Sequence, residues 1–336
     1  MNVENKNRVD WIDTLKLIGI FYIYLGHLGK DAGKLYPFVF SFHVPLFFMI
    51  SGLFFRTPDN YKDAWDKIKS SFIKIIIPYF VFSLIGVTIY TIKWDYSPDR
   101  VMDMMKNVLF GIRNKVPLAS LWFLPCLFVV IVYYCIASMI TKNPLVIFLV
   151  SLLIYCLTPY WFNTLSLPVF NVNFALNYMA FFSLGVLLSK KVKIDWPKCY
   201  EGKHRVSMMA IILLSFLYFA YSYQYGAFTV INSIKQMQVK YFSVFIITCV
   251  MFIPTIAMAY WIDIPAFKRL GRNTLALCGT EQIIKVSILS ALSMMGLSPQ
   301  FKDPLSAVIF TLLCLCVSYF TVIKIYESIR LTRETK

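Results

Sequence analysis

The sequence predicts an all-α fold, a polytopic membrane bundle of about ten transmembrane helices with both termini in the cytoplasm. Of its 336 residues, 59% are hydrophobic and 15% are charged, whereas soluble domains carry roughly 25% charged residues. The mean hydropathy is +0.66. Apolar runs of about twenty residues recur along the chain, and each is long enough to cross the ~30 Å hydrocarbon core as a helix. The alternating ten-residue strands of a membrane barrel are absent from the sequence.

Ten apolar segments follow one another, and we expect a single membrane-embedded domain over residues 1–336 with no separate soluble domain. In chain order, the predicted spans are 9–29, 37–55, 72–92, 119–140, 145–162, 174–188, 206–225, 241–262, 274–295 and 304–326.

The charge pattern sets the expected orientation. With the N-terminus inside, the cytoplasmic segments hold roughly twice as many lysines and arginines as the outer loops, as the positive-inside rule requires. The net charge of +16 is therefore typical of membrane topology, and we expect a protein of the cell membrane that contacts lipids and binds no nucleic acid. The eight cysteines fall mostly inside apolar segments without metal-type spacing, so no metal is expected.

The longest outer loop, 93–118, contains a predicted helix. Ser97-Pro98-Asp99 is typical of a helix start, with a capping serine and proline at the first position. Apolar residues then recur at helical spacing. This pattern favours a short helix at the outer membrane interface, and a lid over an outward-facing site is the alternative.

The first span carries two ionisable residues on one face. Lys16 and His27 are eleven residues apart, which is close to three helical turns and ~16 Å along the axis. Ionisable groups within a span normally face a protein interior or a wet cavity and indicate function. Histidine suits general acid or base chemistry near neutral pH. Lys16 has two structural alternatives, because it can extend to the headgroups or pair with Asp13.

The second span places His43 across a short loop from His27. Because consecutive spans are antiparallel, both imidazoles should lie toward the outer half of the bilayer. Pro45 near the start of this helix is structurally harmless. The pair Ser51-Gly52 predicts close packing against another helix.

These segments together resemble the acyltransferase-3 family of integral membrane acyltransferases. The resemblance rests on Lys16 followed by ten residues and His27, and on the segment from Phe42-His43-x-Pro45 to Ser51-Gly52. It extends through Pro78-Tyr79, Leu121-Trp122-Phe123-Leu124 and the stretch from Leu270 to Leu275.

The resemblance implies an activity, a donor and an acceptor. Members transfer an acyl group from cytoplasmic acyl-CoA to a hydroxyl of a sugar or glycan, often at the outer face. By this likeness the chain is an O-acyltransferase, with acetyl-CoA as the expected donor and a cell-surface or lipid-linked sugar as acceptor. His27 would be the catalytic base, and Lys16 would help hold the donor. His43 is a second catalytic candidate, and whether it shares the chemistry or orients the acceptor stays open.

The donor-binding prediction extends to basic residues at the inner ends of two spans. Relatives commonly carry two arginines three residues apart before the Pro-Tyr pair, whereas this chain has Ser71 and Lys74. Lys67 and Lys69 are the expected substitutes, although lysine lacks the planar fork that arginine offers to phosphate. Arg272 completes this predicted set. The alternative is an ordinary basic cytoplasmic loop.

Three further residues are candidates for acceptor binding. Trp122 suits stacking on a sugar, but its place at the outer start of a span favours an aromatic belt at the membrane interface, where tryptophan is common. Glu281 stands where relatives often carry a histidine, and its spacing also suits a structural ion pair with Lys285. Asn173 belongs to a group of asparagines near an uncharged outer loop, comprising Asn163, Asn171, Asn173 and Asn177.

Two other functions compete with acyl transfer. A flippase or transporter of a lipid-linked glycan is the main alternative, but the sequence shows neither an internal repeat nor matched broken spans. A scaffold with a degenerate site is disfavoured by the presence of Lys16, His27 and His43 together. Homo-oligomerisation is left open by the sequence.

Overall fold

A computed structural model describes residues 9–161, 169–198, 200, 205–297 and 303–328. Within these ranges the chain forms helices and no strands, which confirms the predicted fold class. Asn163 and the end of the fifth predicted span lie outside the described residues.

Fifteen helices are numbered here in chain order. They are α1 Asp10–Gly26, α2 Leu35–Phe40, α3 His43–Leu53, α4 Tyr61–Ser71, α5 Ile77–Trp94, α6 Pro98–Phe110, α7 Phe123–Ile140, α8 Pro144–Trp161, α9 Val172–Lys190, α10 Trp196–Lys198, α11 Arg205–Tyr225, α12 Met237–Trp261, α13 Pro265–Arg272, α14 Thr274–Met294 and α15 Pro304–Ser318.

Every predicted span overlaps one of these helices. By length and composition, eight helical segments of the described chain are able to cross a membrane. The other two predicted spans correspond to shorter helices. The fifth contains an apolar stretch at Pro144–Thr158, and the first is α1, which has 17 residues and three charged side chains, Asp10, Asp13 and Lys16. The predicted count of ten spans is therefore reached only if α1 and α8 also cross the membrane.

The second span differs from its prediction because it is broken. Segment Leu35–Leu53 divides into α2 and α3 at Ser41 and Phe42. Pro45 has no N–H to donate to the Ser41 carbonyl four residues earlier, and Thr248 donates to that carbonyl instead, at 3.3 Å. His43 thus begins α3 in the middle of the span rather than at its start.

The third span is longer than predicted and contains a wide turn. Segment Tyr61–Trp94 runs over 34 residues, with a π-helical turn at Phe72–Ile76 between α4 and α5. Pro78 follows this turn and has no N–H for the Lys74 carbonyl. Such a turn rotates the side chains that it carries relative to a regular helix.

The predicted outer-loop helix is confirmed as α6. The Ser97 hydroxyl accepts from the Arg100 N–H at 3.4 Å, and Pro98 occupies the first helical position. The helix is docked on α5, because Met104 and Val108 are buried there. The Tyr79 hydroxyl of α5 donates to the Val108 carbonyl at 2.7 Å.

Small residues allow neighbouring helices to pack closely, as predicted from the pair Ser51-Gly52. A Cβ atom on Gly52 would collide with the Phe182 carbonyl, and one on Gly185 would collide with the Met49 carbonyl. Helices α3 and α9 therefore approach with backbone against backbone. Gly271 of α13 makes the same kind of approach to the backbone of Asp13 in α1.

We expect Gly185→Ala to destabilise the protein. Alanine raises helix propensity by up to about 1 kcal/mol, but overpacking at a close contact costs about 1–3 kcal/mol, so the collision with Met49 outweighs the gain. The thermal unfolding midpoint in detergent should fall by about 2 °C or more. Ala210→Val, at an exposed position of α11, should leave the midpoint unchanged. A midpoint for Gly185→Ala equal to that of the unmodified protein contradicts the packing argument.

Candidate functional site

His27 follows the last residue of α1 and contacts a buried carboxylate. Its Nδ1 lies 2.8 Å from Glu281 Oε2 of α14, and the Glu281 side chain is fully buried. A carboxylate only accepts hydrogen bonds, so Nδ1 carries the proton in this contact. Nε2 of the same ring is then left with a free lone pair.

Lys285 completes this contact from one turn further along α14. Its Nζ lies 3.6 Å from Glu281 Oε1 and donates to the His27 main-chain carbonyl at 2.7 Å. The predicted pairing of Glu281 with Lys285 is therefore confirmed. The contact with His27 was missed, although it is the shorter of the two.

His43 is buried beside the break between α2 and α3. Its Nδ1 lies 2.7 Å from the Val39 carbonyl, which leaves Nδ1 as the donor because a carbonyl only accepts. In a neutral ring Nε2 is then an acceptor. The ring of Phe40 packs edge-on against the His43 ring at 4.8 Å.

The two histidines line one cavity of about 430 Å³. We call it the His27 cavity. Its polar and aromatic lining comprises His27, Tyr36, Phe40, His43, Phe47, Arg113, Asn114, Ser120, Trp122 and Phe123. The wall is mainly apolar with a few convergent polar groups, as is typical of small-molecule sites.

A second cavity of about 230 Å³ contains Lys16 and Lys74, and we call it the Lys16 cavity. Three residues line both cavities, namely Ile23, Phe47 and Phe123. The two cavities are therefore neighbours along α1, with Lys16 in one and His27 in the other. The predicted placement of Lys16 and His27 on one side of α1 agrees with this arrangement.

The two lysines of the Lys16 cavity are held differently. Lys16 Nζ lies 3.2 Å from Asp13 Oδ1 and 4.7 Å from the centre of the Phe54 ring. Lys74 lies on the π-helical turn and is exposed. The cavity thus brings together cations from two separate spans.

The remaining predicted donor residues lie elsewhere in the described chain. Lys67 pairs with Asp63 at 2.8 Å along α4, and the Lys69 ammonium lies 5.4 Å from the centre of the Trp65 ring. Arg272 lies 3.6 Å from Asp10 and 3.5 Å from Asp13. Neither described cavity of the site is lined by these three side chains.

Trp122 lines the His27 cavity instead of facing lipid. Only 7% of Trp122 is exposed, so its placement at a lipid-facing aromatic belt is wrong. The Arg113 guanidinium lies over its ring at 4.3 Å. Arg113 belongs to the loop after α6 and was not identified from the sequence, because no local pattern connects that loop to the histidines.

Among the asparagines, Asn171 has the structural role in this region. It is 2% exposed, accepts from the Arg113 N–H at 3.2 Å, and donates to the Gly111 and Trp122 carbonyls at 2.8 and 3.3 Å. Asn173 is half-buried and does not line the described part of the His27 cavity. The sequence located this cluster but selected a different member.

Comparison with known proteins gives one match. A family model described as an acyltransferase domain, Acyl_transf_3, matches residues 9–323, which include every residue of both cavities. No curated protein and no solved structure matches the chain.

Proposed function

The chain belongs to the acyltransferase-3 family of membrane acyltransferases, and from this premise we propose that it is an O-acyltransferase with His27 as general base. The donor is acyl-CoA, with acetyl-CoA as the simplest case, and the acceptor is a hydroxyl of a cell-surface or lipid-linked sugar. The observation that carries this proposal is the 2.8 Å contact between His27 and the buried Glu281 at the wall of a cavity.

The His27–Glu281 contact supports proton transfer by His27 Nε2. Glu281 accepts from Nδ1–H, which fixes the tautomer in which Nε2 is free to take a proton. The same carboxylate stabilises the imidazolium that then forms, as in other histidine–carboxylate pairs. Lys285 supplies the positive charge that a carboxylate buried inside a membrane protein requires.

The proposed reaction forms one ester and breaks one thioester. The acceptor hydroxyl oxygen attacks the thioester carbon while its proton moves to His27 Nε2. The tetrahedral intermediate then collapses, the C–S bond breaks, and the proton passes from Nε2 to the departing sulfur. The products are the acylated sugar and free coenzyme A. Positioned proton transfer of this kind contributes about 10²–10⁴-fold to the rate.

The Lys16 cavity is proposed to receive the donor. Lys16 and Lys74 provide positive charge for the phosphates of coenzyme A at the predicted cytoplasmic end of α1. The pantetheine arm would pass Ile23, Phe47 and Phe123, the residues that both cavities share. This arrangement would bring the thioester into the His27 cavity.

His43 is proposed to orient the acceptor rather than to exchange its proton. Its Nδ1–H is engaged with the Val39 carbonyl, so Nε2 is available as an acceptor for a second sugar hydroxyl. Trp122 offers an aromatic surface in the same cavity. We further propose that this cavity faces the outer side of the cell membrane, as the positive-inside pattern predicts.

Deleting the gene should remove one acyl group from a surface glycan, and the wild-type gene should restore it. His27→Ala should leave the glycan unacylated because the general base is lost. The deletion strain is complemented with the wild-type gene or with His27→Ala, each expressed to the same level in the membrane. Mass spectrometry of the surface glycans then measures their acylation. Full restoration by His27→Ala contradicts the assignment, and an unchanged glycan profile after deletion contradicts the proposed activity.

Lys16→Ala should weaken acyl-CoA binding by about tenfold, since one charge-assisted contact contributes about 1.5–3 kcal/mol. Calorimetric titration of the detergent-solubilised protein with acetyl-CoA gives the dissociation constant. Lys62→Ala is the matched control, because Lys62 is exposed on α4 outside the Lys16 cavity, and it should bind as the wild type does. Equal dissociation constants for Lys16→Ala and the wild type contradict the donor role.

A further inference from the structure

We propose that Arg113 binds an anionic group of the acceptor, a carboxylate or a phosphate, so that the substrate of the His27 cavity is an anionic glycan. This inference rests on the proposed function and adds to it the chemical class of the acceptor. Neither sequence motifs nor the family match assigns a role to Arg113.

Arg113 lies over two aromatic rings at the wall of the His27 cavity. Its guanidinium carbon lies 4.3 Å from the centre of the Trp122 ring and 4.5 Å from the centre of the Phe174 ring. Cations over aromatic faces are attracted by the ring quadrupole. The two rings thus hold the positive charge in place, while the guanidinium N–H groups are the donors that a ligand would meet.

The positive charge of Arg113 has no carboxylate partner among the described residues. Its Nε is buried and makes no hydrogen bond. Tyr178 lies near Arg113, but a neutral phenol supplies no negative charge. In the described lining of the His27 cavity there is no aspartate or glutamate, and Glu281 behind His27 is already paired with Lys285.

Four other arginines of the described chain, Arg56, Arg100, Arg269 and Arg272, lie beside acids. Arg100 lies 3.4 Å from Asp103 in α6, and Arg269 contacts Glu327 at 2.6 Å. Arg113 lines the His27 cavity without such an acid beside it among the residues that the structure describes. A partly buried charge without a partner is costly, and an anionic ligand would offset that cost.

The position of Arg113 is fixed by Asn171. The Asn171 side chain accepts from the Arg113 backbone N–H and donates to the carbonyls of Gly111 and Trp122. It therefore joins the loop after α6 to the start of α7. This contact makes the arginine part of a preformed site, and preformed donors bind at a lower entropic cost.

Arginine matches the proposed group in both charge and shape. The planar guanidinium presents a rigid fork of donors to the two oxygens of a carboxylate or phosphate. A neutral sugar would satisfy hydrogen bonds but leave the charge unbalanced. The two sources of the anion are an acidic sugar residue and the phosphate that links a glycan to its lipid.

Equilibrium binding of matched sugars to the purified full-length protein tests this proposal without requiring turnover. The probes are p-nitrophenyl β-D-glucuronide and p-nitrophenyl β-D-glucoside, the corresponding galacto pair, and glucose 1-phosphate. In at least one pair, the wild type should bind the acid about tenfold more tightly than the neutral sugar. Arg113→Gln should abolish this preference. Tighter binding of the sugar phosphate than of the uronides identifies the linkage phosphate as the anion.

Two control variants accompany Arg113→Gln. One tests whether any positive charge on the outer side of the protein produces the preference, and the other tests whether the preference depends on catalysis. Arg100→Gln removes the same charge from the same outer region and should keep the preference. His27→Ala should also keep it, because binding does not need the base, so a failure of acyl transfer remains distinguishable from a failure of anion binding. Wild-type protein that binds neither the uronides nor glucose 1-phosphate more tightly than the neutral sugars overturns the proposal. A preference that survives Arg113→Gln, or that Arg100→Gln also removes, overturns it as well.

Discussion

The arrangement of this protein depends on one buried polar contact, between His27 at the end of α1 and Glu281 of α14. An uncompensated carboxylate inside a membrane protein is costly, and Lys285 compensates it while also bonding the His27 carbonyl. The three residues thereby join two helices that are more than 250 positions apart in the chain. The same contact leaves Nε2 of His27 as the free ring nitrogen, so the proposed chemical role of His27 depends on a structural contact.

The side chains of both cavities are placed by local departures from regular helix. The second span is broken at Ser41 and Phe42, just ahead of Pro45, so His43 begins α3, where its ring bonds the Val39 carbonyl. Pro78 follows the π-helical turn that carries Lys74. Backbone groups freed inside a membrane must be satisfied by other partners, and Thr248 does this for the Ser41 carbonyl. The glycine contacts between α3 and α9 keep the bundle tight around these breaks.

The sequence predicted the features that depend on local pattern. Apolar runs gave the fold class and the approximate helix ends, and spacing along one helix gave the Glu281–Lys285 pair. It could not predict the contact between His27 and Glu281, because nothing in either segment encodes their proximity. Arg113 and its contact with Asn171 were missed for the same reason, because the two residues are 58 positions apart. Trp122 was ambiguous, since an amphipathic ring at a helix end suits either lipid or a cavity.

The central claim is that His27 and Glu281 act as one catalytic unit. A double-mutant cycle of His27→Ala and Glu281→Gln tests it most directly, with acyl transfer from labelled acetyl-CoA measured in membranes that contain the native glycan. Each single variant should lose about 10²–10⁴-fold in rate, and the double variant should be no slower than His27→Ala alone, because residues that act as a unit are not additive. Losses that multiply in the double variant would contradict the account.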